Sequence, residues 1–149
     1  MENSNEATII FDSRPENEGL ARVTAAAFCT QLNPTLEEVA DLKTAVSEAV
    51  TNCIIHGYKG EIHKIRMKCR LKENTIYLDI EDDGVGMPSE VVARLLTAPA
   101  GKSGIGVKNV HERIRLTYGE PYGIQVRSVE DEGTCVTIRL PRRKGGGAA

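Results

Sequence analysis

Residues 43–58, KTAVSEAVTNCIIHGY, are followed about 20 residues later by DIEDDGVGM, and this pair of segments constrains the fold more than any other. The first reads as the second half of an amphipathic helix that opens after Asn33-Pro34, where Thr35 and Glu38 form a capping box. Its apolar positions Val39, Leu42, Val46, Ala49, Val50 and Cys53 recur at helical spacing and form one stripe facing a core. Glu48 and Asn52 lie off that stripe. An i, i+4 pair is about 40° apart at 100° per residue, so both polar groups point in nearly the same direction. The second segment is a strand that runs into a glycine-rich turn, Asp82-Asp83-Gly84-Val85-Gly86-Met87.

The remaining elements follow from periodicity and punctuation. Ala7 to Phe11 reads as a strand and Gly19 to Leu32 as a helix. His63 to Leu71 and Thr75 to Glu81 read as a hairpin turning at Lys72, Glu73 and Asn74. Ser89 is positioned to cap a short helix through Leu96, and TAPAGKSG has the small residues and proline of a lid loop. Ile105 to Tyr118 reads as a helix, and Gly123 to Val129 with Thr134 to Leu140 as a closing hairpin across EDEG. Antiparallel strand pairs with helices between them predict an α+β protein. The expected architecture is a two-layer α/β sandwich with a mixed, mostly antiparallel sheet and helices on one face.

Composition sets the limits. A chain of 149 residues, 40% hydrophobic, suffices for one core, expected over residues 1–144 with a flexible tail at 145–149. With 19 basic and 21 acidic side chains no global field recruits nucleic acid or an anionic membrane. The basic run Arg142, Arg143 and Lys144 reads as a solvated end. Cys29, Cys53, Cys69 and Cys135 form no CxxC pair, so reduced core thiols are expected rather than zinc or disulfides. No apolar run approaches the roughly 18 residues of a membrane span, and the expected location is the cytoplasm.

Several residues suit nucleotide chemistry. Magnesium on nucleotide phosphates takes oxygen ligands and keeps waters, so the Asn52 carbonyl is a candidate metal ligand. A carboxylate one turn away, Glu48, is a candidate general base. Asp83 can accept a hydrogen bond from an exocyclic amine, and Gly84 and Gly86, beside Met87, allow close backbone approach. Gly101-Lys102-Ser103-Gly104-Ile105-Gly106 leads into a helix whose free N–H groups favour phosphate, within reach of Lys102. Neither the GxxxxGK[ST] nor the GxGxxG spacing is present. Thr134, at the start of the last strand, can supply a hydroxyl to a purine.

The order of these features, Glu and Asn on a helix, DxGxG after a strand, GxG before a helix and GT before a last strand, resembles the Bergerat-fold ATP-binding superfamily. That superfamily includes gyrase, heat-shock chaperones, histidine kinases and mismatch-repair proteins. ARVTAAAFCTQLNPTLEEVADLKTAVSEAVTNCIIHGY resembles the sporulation anti-sigma F factors, a family of small serine kinases. The resemblance implies an Mg-ATP-dependent serine/threonine kinase that phosphorylates an anti-anti-sigma partner and sequesters a sigma factor as a homodimer. It implies Glu48 as the base, Asn52 as the magnesium ligand, Asp83 as the adenine acceptor and Gly84, Gly86, Gly104 and Gly106 as pocket-shaping. By the same resemblance Met87, Lys102, Ser103 and Thr134 bind nucleotide and Arg22 lies on the partner surface. Val23, Ala26, Ala27 and Cys29 are candidates for a dimer face or for core.

GKSGIGVKNVHERIRLTYGEPYGIQVRSVEDEGTCVTIRLP is instead similar to LytS-type sensor histidine kinases. That resemblance gives a second reading, a catalytic domain that phosphorylates a histidine. It ranks lower because His56, His63 and His111 lie in no leading dimerisation helix. A third reading is a non-catalytic module in which nucleotide shapes a partner surface.

Overall fold

A computed structural model describes residues 4–57, 61–82, 105–129 and 133–141. Five strands, β1 (Asn5–Asp12), β2 (Lys64–Lys72), β3 (Thr75–Asp82), β4 (Gly123–Val129) and β5 (Gly133–Pro141), form one sheet in the order β1-β2-β3-β5-β4. Every pairing is antiparallel, so the described sheet is antiparallel throughout rather than mixed. Among the described residues three α-helices, α1 (Glu18–Cys29), α2 (Leu36–Gly57) and α3 (Ile105–Tyr118), form the second layer. The two-layer α+β sandwich expected from the sequence is the one observed.

Strand alternation separates the two faces. Ile65, Met67, Cys69 and Leu71 of β2 face Ile76, Leu78 and Ile80 of β3 and Val136 and Ile138 of β5, all buried under the helices. The opposite face is polar, with Lys64 paired to Asp12, Arg66 to Glu81 and Arg70 to Asp79. The β2–β3 turn uses Glu73 and Asn74 at φ 51° and 63°, the doubly left-handed backbone that matches strand twist in a two-residue hairpin.

The capping box that opens α2 is present. The Glu38 carboxylate accepts from Thr35 N–H at 2.8 Å and the Thr35 hydroxyl accepts from Glu38 N–H at 3.1 Å. The expected first helix ends sooner, at Cys29, and continues as a 3-10 turn, Thr30–Leu32, closed by Asn33 at φ 51°. Cys29, Cys53 and Cys69 are buried free thiols, as expected for core positions. Cys135 is a correction, because it lies half-buried on the polar face, its Sγ 4.0 Å from Glu81. α3 ends at Gly119, whose φ of 75° suits only a residue without Cβ strain. Among the described residues no helix is long and apolar enough to cross a membrane.

Candidate functional site

The polar residues of α2 do not sit where the apolar stripe alone places them. Glu48 is half-buried, as a surface polar residue can be, but Asn52 is only 3% exposed. Leu42, Ala45, Val46, Ala49, Val50, Asn52 and Cys53 are all buried, an arc of about 160° at 100° per residue. α2 has this wider buried arc because α1 and α3 pack against it in addition to the sheet. Asn52 is therefore inside the protein rather than on its outer surface.

Its surroundings are unusual for a buried amide. Among the described residues Asn52 Nδ2 has no hydrogen-bond partner. An unmet buried donor costs about 1–3 kcal/mol, and such groups are rare in folded proteins. The neighbouring Cys53 is tied to the end of β3, where its thiol is hydrogen-bonded to Asp82. Burial first, and the Asp82 carboxylate second, push that thiol well above its ordinary range, so Cys53 stays protonated and serves as a donor. Asp82 in turn faces Thr134 across the β3–β5 ladder, and both are buried. Thr134 Oγ1 lies 2.9 Å from Ser128 Oγ on β4, whose hydroxyl donates to the Gly133 carbonyl at 3.2 Å.

The fold thus brings the Asn52-Cys53 turn of α2 to the end of the sheet where β3 finishes and β5 begins. Of the residues expected at the site, Asn52 and Thr134 are brought to this end of the sheet. Glu48 is one helical turn behind Asn52, an axial rise of about 6 Å. Gly106 is in the first turn of α3. Asp83, Gly84, Gly86, Met87, Lys102, Ser103 and Gly104 lie outside the described residues, as do the expected 89–96 helix, the lid and Arg142 to Lys144.

Asp82 and Ser128 also lie at this end of the sheet, and neither is among the residues expected at the site from the sequence. Alternation in TIYLDIED carries the signal for Asp82, since Ile76, Leu78, Ile80 and Asp82 fall on one face of the strand. Arg22 is on α1 with its side chain 44% exposed, 3.9 Å from Glu18. Of the residues considered for a dimer face, Val23 is 59% exposed whereas Cys29 is core.

A buried amide whose Nδ2 has no partner among the described residues, with a half-buried carboxylate one turn behind it and the buried Thr134 and half-buried Ser128 hydroxyls at the same end of the sheet, suits a ligand rich in oxygen and carrying its own water shell. The amide carbonyl fits a hard cation and the N–H fits a water or a phosphate oxygen. The residues present are therefore compatible with a magnesium-bound nucleotide. Among the described residues no cluster of three or more His, Cys, Asp or Glu side chains could hold a metal by itself. A groove of about 470 Å³ between the N-terminal part of α2 and α3, lined by Glu38, Asp41, Leu42, Arg113 and Ile114, is at the opposite end of α2 and belongs to no part of this site.

The chain is matched over residues 37–144 by the family described as histidine kinase-, DNA gyrase B-, and HSP90-like ATPase. The anti-sigma F factor of Oceanobacillus iheyensis is 51% identical over 147 residues, covering 94% of this chain and 96% of that relative. That of Thermoanaerobacter sp. is 51% identical over 87 residues, 58% of this chain, so the match spans 61% of that relative's length. In fold the chain is similar to the crystal structure of the RsbU and RsbW domains of a Mycobacterium tuberculosis protein. The TM-score is 0.60 at 14% identity, with 92% of this chain and 32% of that one covered.

Proposed function

Because this chain belongs to the anti-sigma F factor family, within the histidine kinase-, DNA gyrase B- and HSP90-like ATPases, we propose that it is a nucleotide-dependent anti-sigma kinase. In this reading it moves the γ-phosphoryl group of ATP to a serine hydroxyl of an anti-anti-sigma protein and, while unoccupied by that protein, sequesters a sigma factor. It acts in the cytoplasm as a homodimer, with Leu20 and Val23, both more than half exposed on α1, available to a partner chain.

The observation that carries the reading is the buried Asn52 amide with Nδ2 unmet. Nothing among the described residues completes this group, and Mg-ATP has the right complement of oxygens and waters. Asn52 would hold the magnesium through its carbonyl, which in phosphoryl transfer neutralises charge on the phosphate oxygens. Glu48 would accept the proton of the attacking serine hydroxyl as that oxygen bonds the γ-phosphorus, while the bond from the γ-phosphorus to the β-phosphate oxygen breaks and ADP leaves. Asp83, with Gly84, Gly86 and Met87, takes the adenine edge. Thr134 and the Ser128 hydroxyl bonded to it supply polar contacts at the sheet end. Lys102, Ser103, Gly104 and Gly106 cradle phosphate, where the N-terminal N–H groups of α3 favour an anion.

The test is to incubate the protein with magnesium, γ-labelled ATP and lysate of its source, beside Asp83→Asn, and to treat the labelled band with acid. Acid-stable label that is absent with Asp83→Asn is expected. Acid-labile label would replace this reading with histidine phosphorylation. ATP binding without any transfer would leave a nucleotide-gated binding module.

A further inference from the structure

Besides apolar packing, α1 is joined to α2 by a polar contact through one carboxylate. Glu18, in the first turn of α1, accepts a hydrogen bond from the Ser47 hydroxyl of α2 through Oε1. The same oxygen is 3.9 Å from Arg22 Nε, one turn further along α1. The Glu18 side chain is only 25% exposed. A Cβ added to Gly19 would lie 3.7 Å from Arg22 Nη2, so the guanidinium curls back over the first turn of its own helix.

The helix geometry explains why one residue can do both. Glu18, Arg22, Ala25 and Cys29 recur at i, i+4, i+7 and i+11, along one edge of α1, and Ala25 and Cys29 are buried. Glu18 and Arg22 are the wet end of this row. On α2, Ser47 immediately precedes Glu48, so its hydroxyl reports the position of the turn that presents the base. A serine in mid-helix otherwise bonds back to its own backbone. Here it is recruited across the helix pair.

We infer that Glu18 is a positioning residue that couples the Arg22 surface to the turn of α2 carrying Glu48, by sharing one carboxylate oxygen between Arg22 and Ser47. This rests on the kinase reading of Glu48 and takes the exposed Arg22 as the point where the acceptor protein meets α1. The partner fitted by this arrangement carries an acidic group, which takes the Arg22 guanidinium and frees Glu18 to hold Ser47 alone. Engagement at the surface is thereby felt one residue from the base. The two halves of the bridge are separable chemically. Glu18→Gln keeps an acceptor for Ser47 but removes the charge that holds Arg22. Ser47→Ala removes the bond to α2 and leaves the ion pair with Arg22 intact.

The experiment is steady-state phosphorylation of the purified acceptor protein by the full chain and by Glu18→Gln, Ser47→Ala, Glu18→Ala and Glu18→Ala/Ser47→Ala. Thermal unfolding and the KM for ATP are followed in parallel. Glu18→Gln is expected to change the acceptor KM several-fold with kcat retained. Ser47→Ala is expected to lower kcat several-fold with both KM values retained. The double variant should have the kcat of Glu18→Ala alone, because both substitutions remove one contact. Additive losses in kcat, or variants that lower the melting temperature while kcat and the acceptor KM stay at parent values, would overturn the inference. Absence of transfer by the unaltered chain would instead overturn the kinase reading itself.

Discussion

Asn52 is the residue on which the proposed nucleotide site rests. Its amide sits 3% exposed, and among the described residues Nδ2 has no partner, a cost of about 1–3 kcal/mol for as long as it stays unmet. Asn52→Ala removes the unmet donor and leaves a small cavity, and the two effects oppose each other. Without nucleotide the variant should therefore unfold within about 1 kcal/mol of the parent, while losing the stabilisation given by Mg-ATP. Urea denaturation with and without Mg-ATP checks this, and a variant that is severely destabilised without nucleotide would mark Asn52 as structural.

His111 makes the opposite kind of contribution. Its Nδ1 accepts from Ile124 N–H at 2.9 Å, which ties α3 to β4 and requires the neutral ring. Burial, and then the nearby Arg115, hold the His111 pKa below its ordinary 6.5. The unfolded chain therefore takes up the proton first as pH falls. The His111 contribution is complete above about pH 6.5 and is lost progressively below it, through the folded-state value. Urea midpoints at pH 8 and pH 5.5 should differ less in His111→Gln than in the parent.

At the scale of elements, α2 is held at its start by the reciprocal Thr35–Glu38 cap, and the Glu38 carboxylate also accepts from the Tyr118 hydroxyl of α3. Thr35→Ala should cost about 1 kcal/mol, read as a lower urea midpoint with ATP affinity unchanged, because the cap lies at the end of α2 remote from Asn52. The cap, the α2 stripe and both hairpins were legible because each depends on residues close in sequence. Two features were not. The insertion of β5 between β3 and β4 joins strands separated by the whole of α3, and no local pattern encodes that pairing. The burial of Asn52 depends on α1 and α3 flanking α2, so a single-helix projection put it outside. Asp82 was legible in the alternation of β3, whereas the family resemblance places the adenine acceptor at its neighbour Asp83.

For the whole molecule, the layers divide the labour. The sheet and its buried aliphatic face supply the stability, and the polar outer face is stitched by lateral ion pairs such as Arg70–Asp79 at 2.9 Å. The end of the sheet where β3 finishes and β5 begins carries Asp82, Thr134 and the Asn52-Cys53 turn, so nucleotide binding there should stabilise the whole domain. At a nucleotide concentration 100 times its Kd the gain is about 2.7 kcal/mol, visible as a raised melting temperature that depends on magnesium.

The most direct measurement of the central claim compares Glu48→Gln with the parent in two assays, magnesium-dependent ATP binding and label transfer to the acceptor protein. Glu48→Gln is predicted to bind ATP with parent affinity and to lose transfer by a factor of about 10² or more, as expected for removal of a general base. Transfer that survives the substitution at the parent rate would contradict the assignment of Glu48, and with it the mechanism built on the Glu48–Asn52 turn.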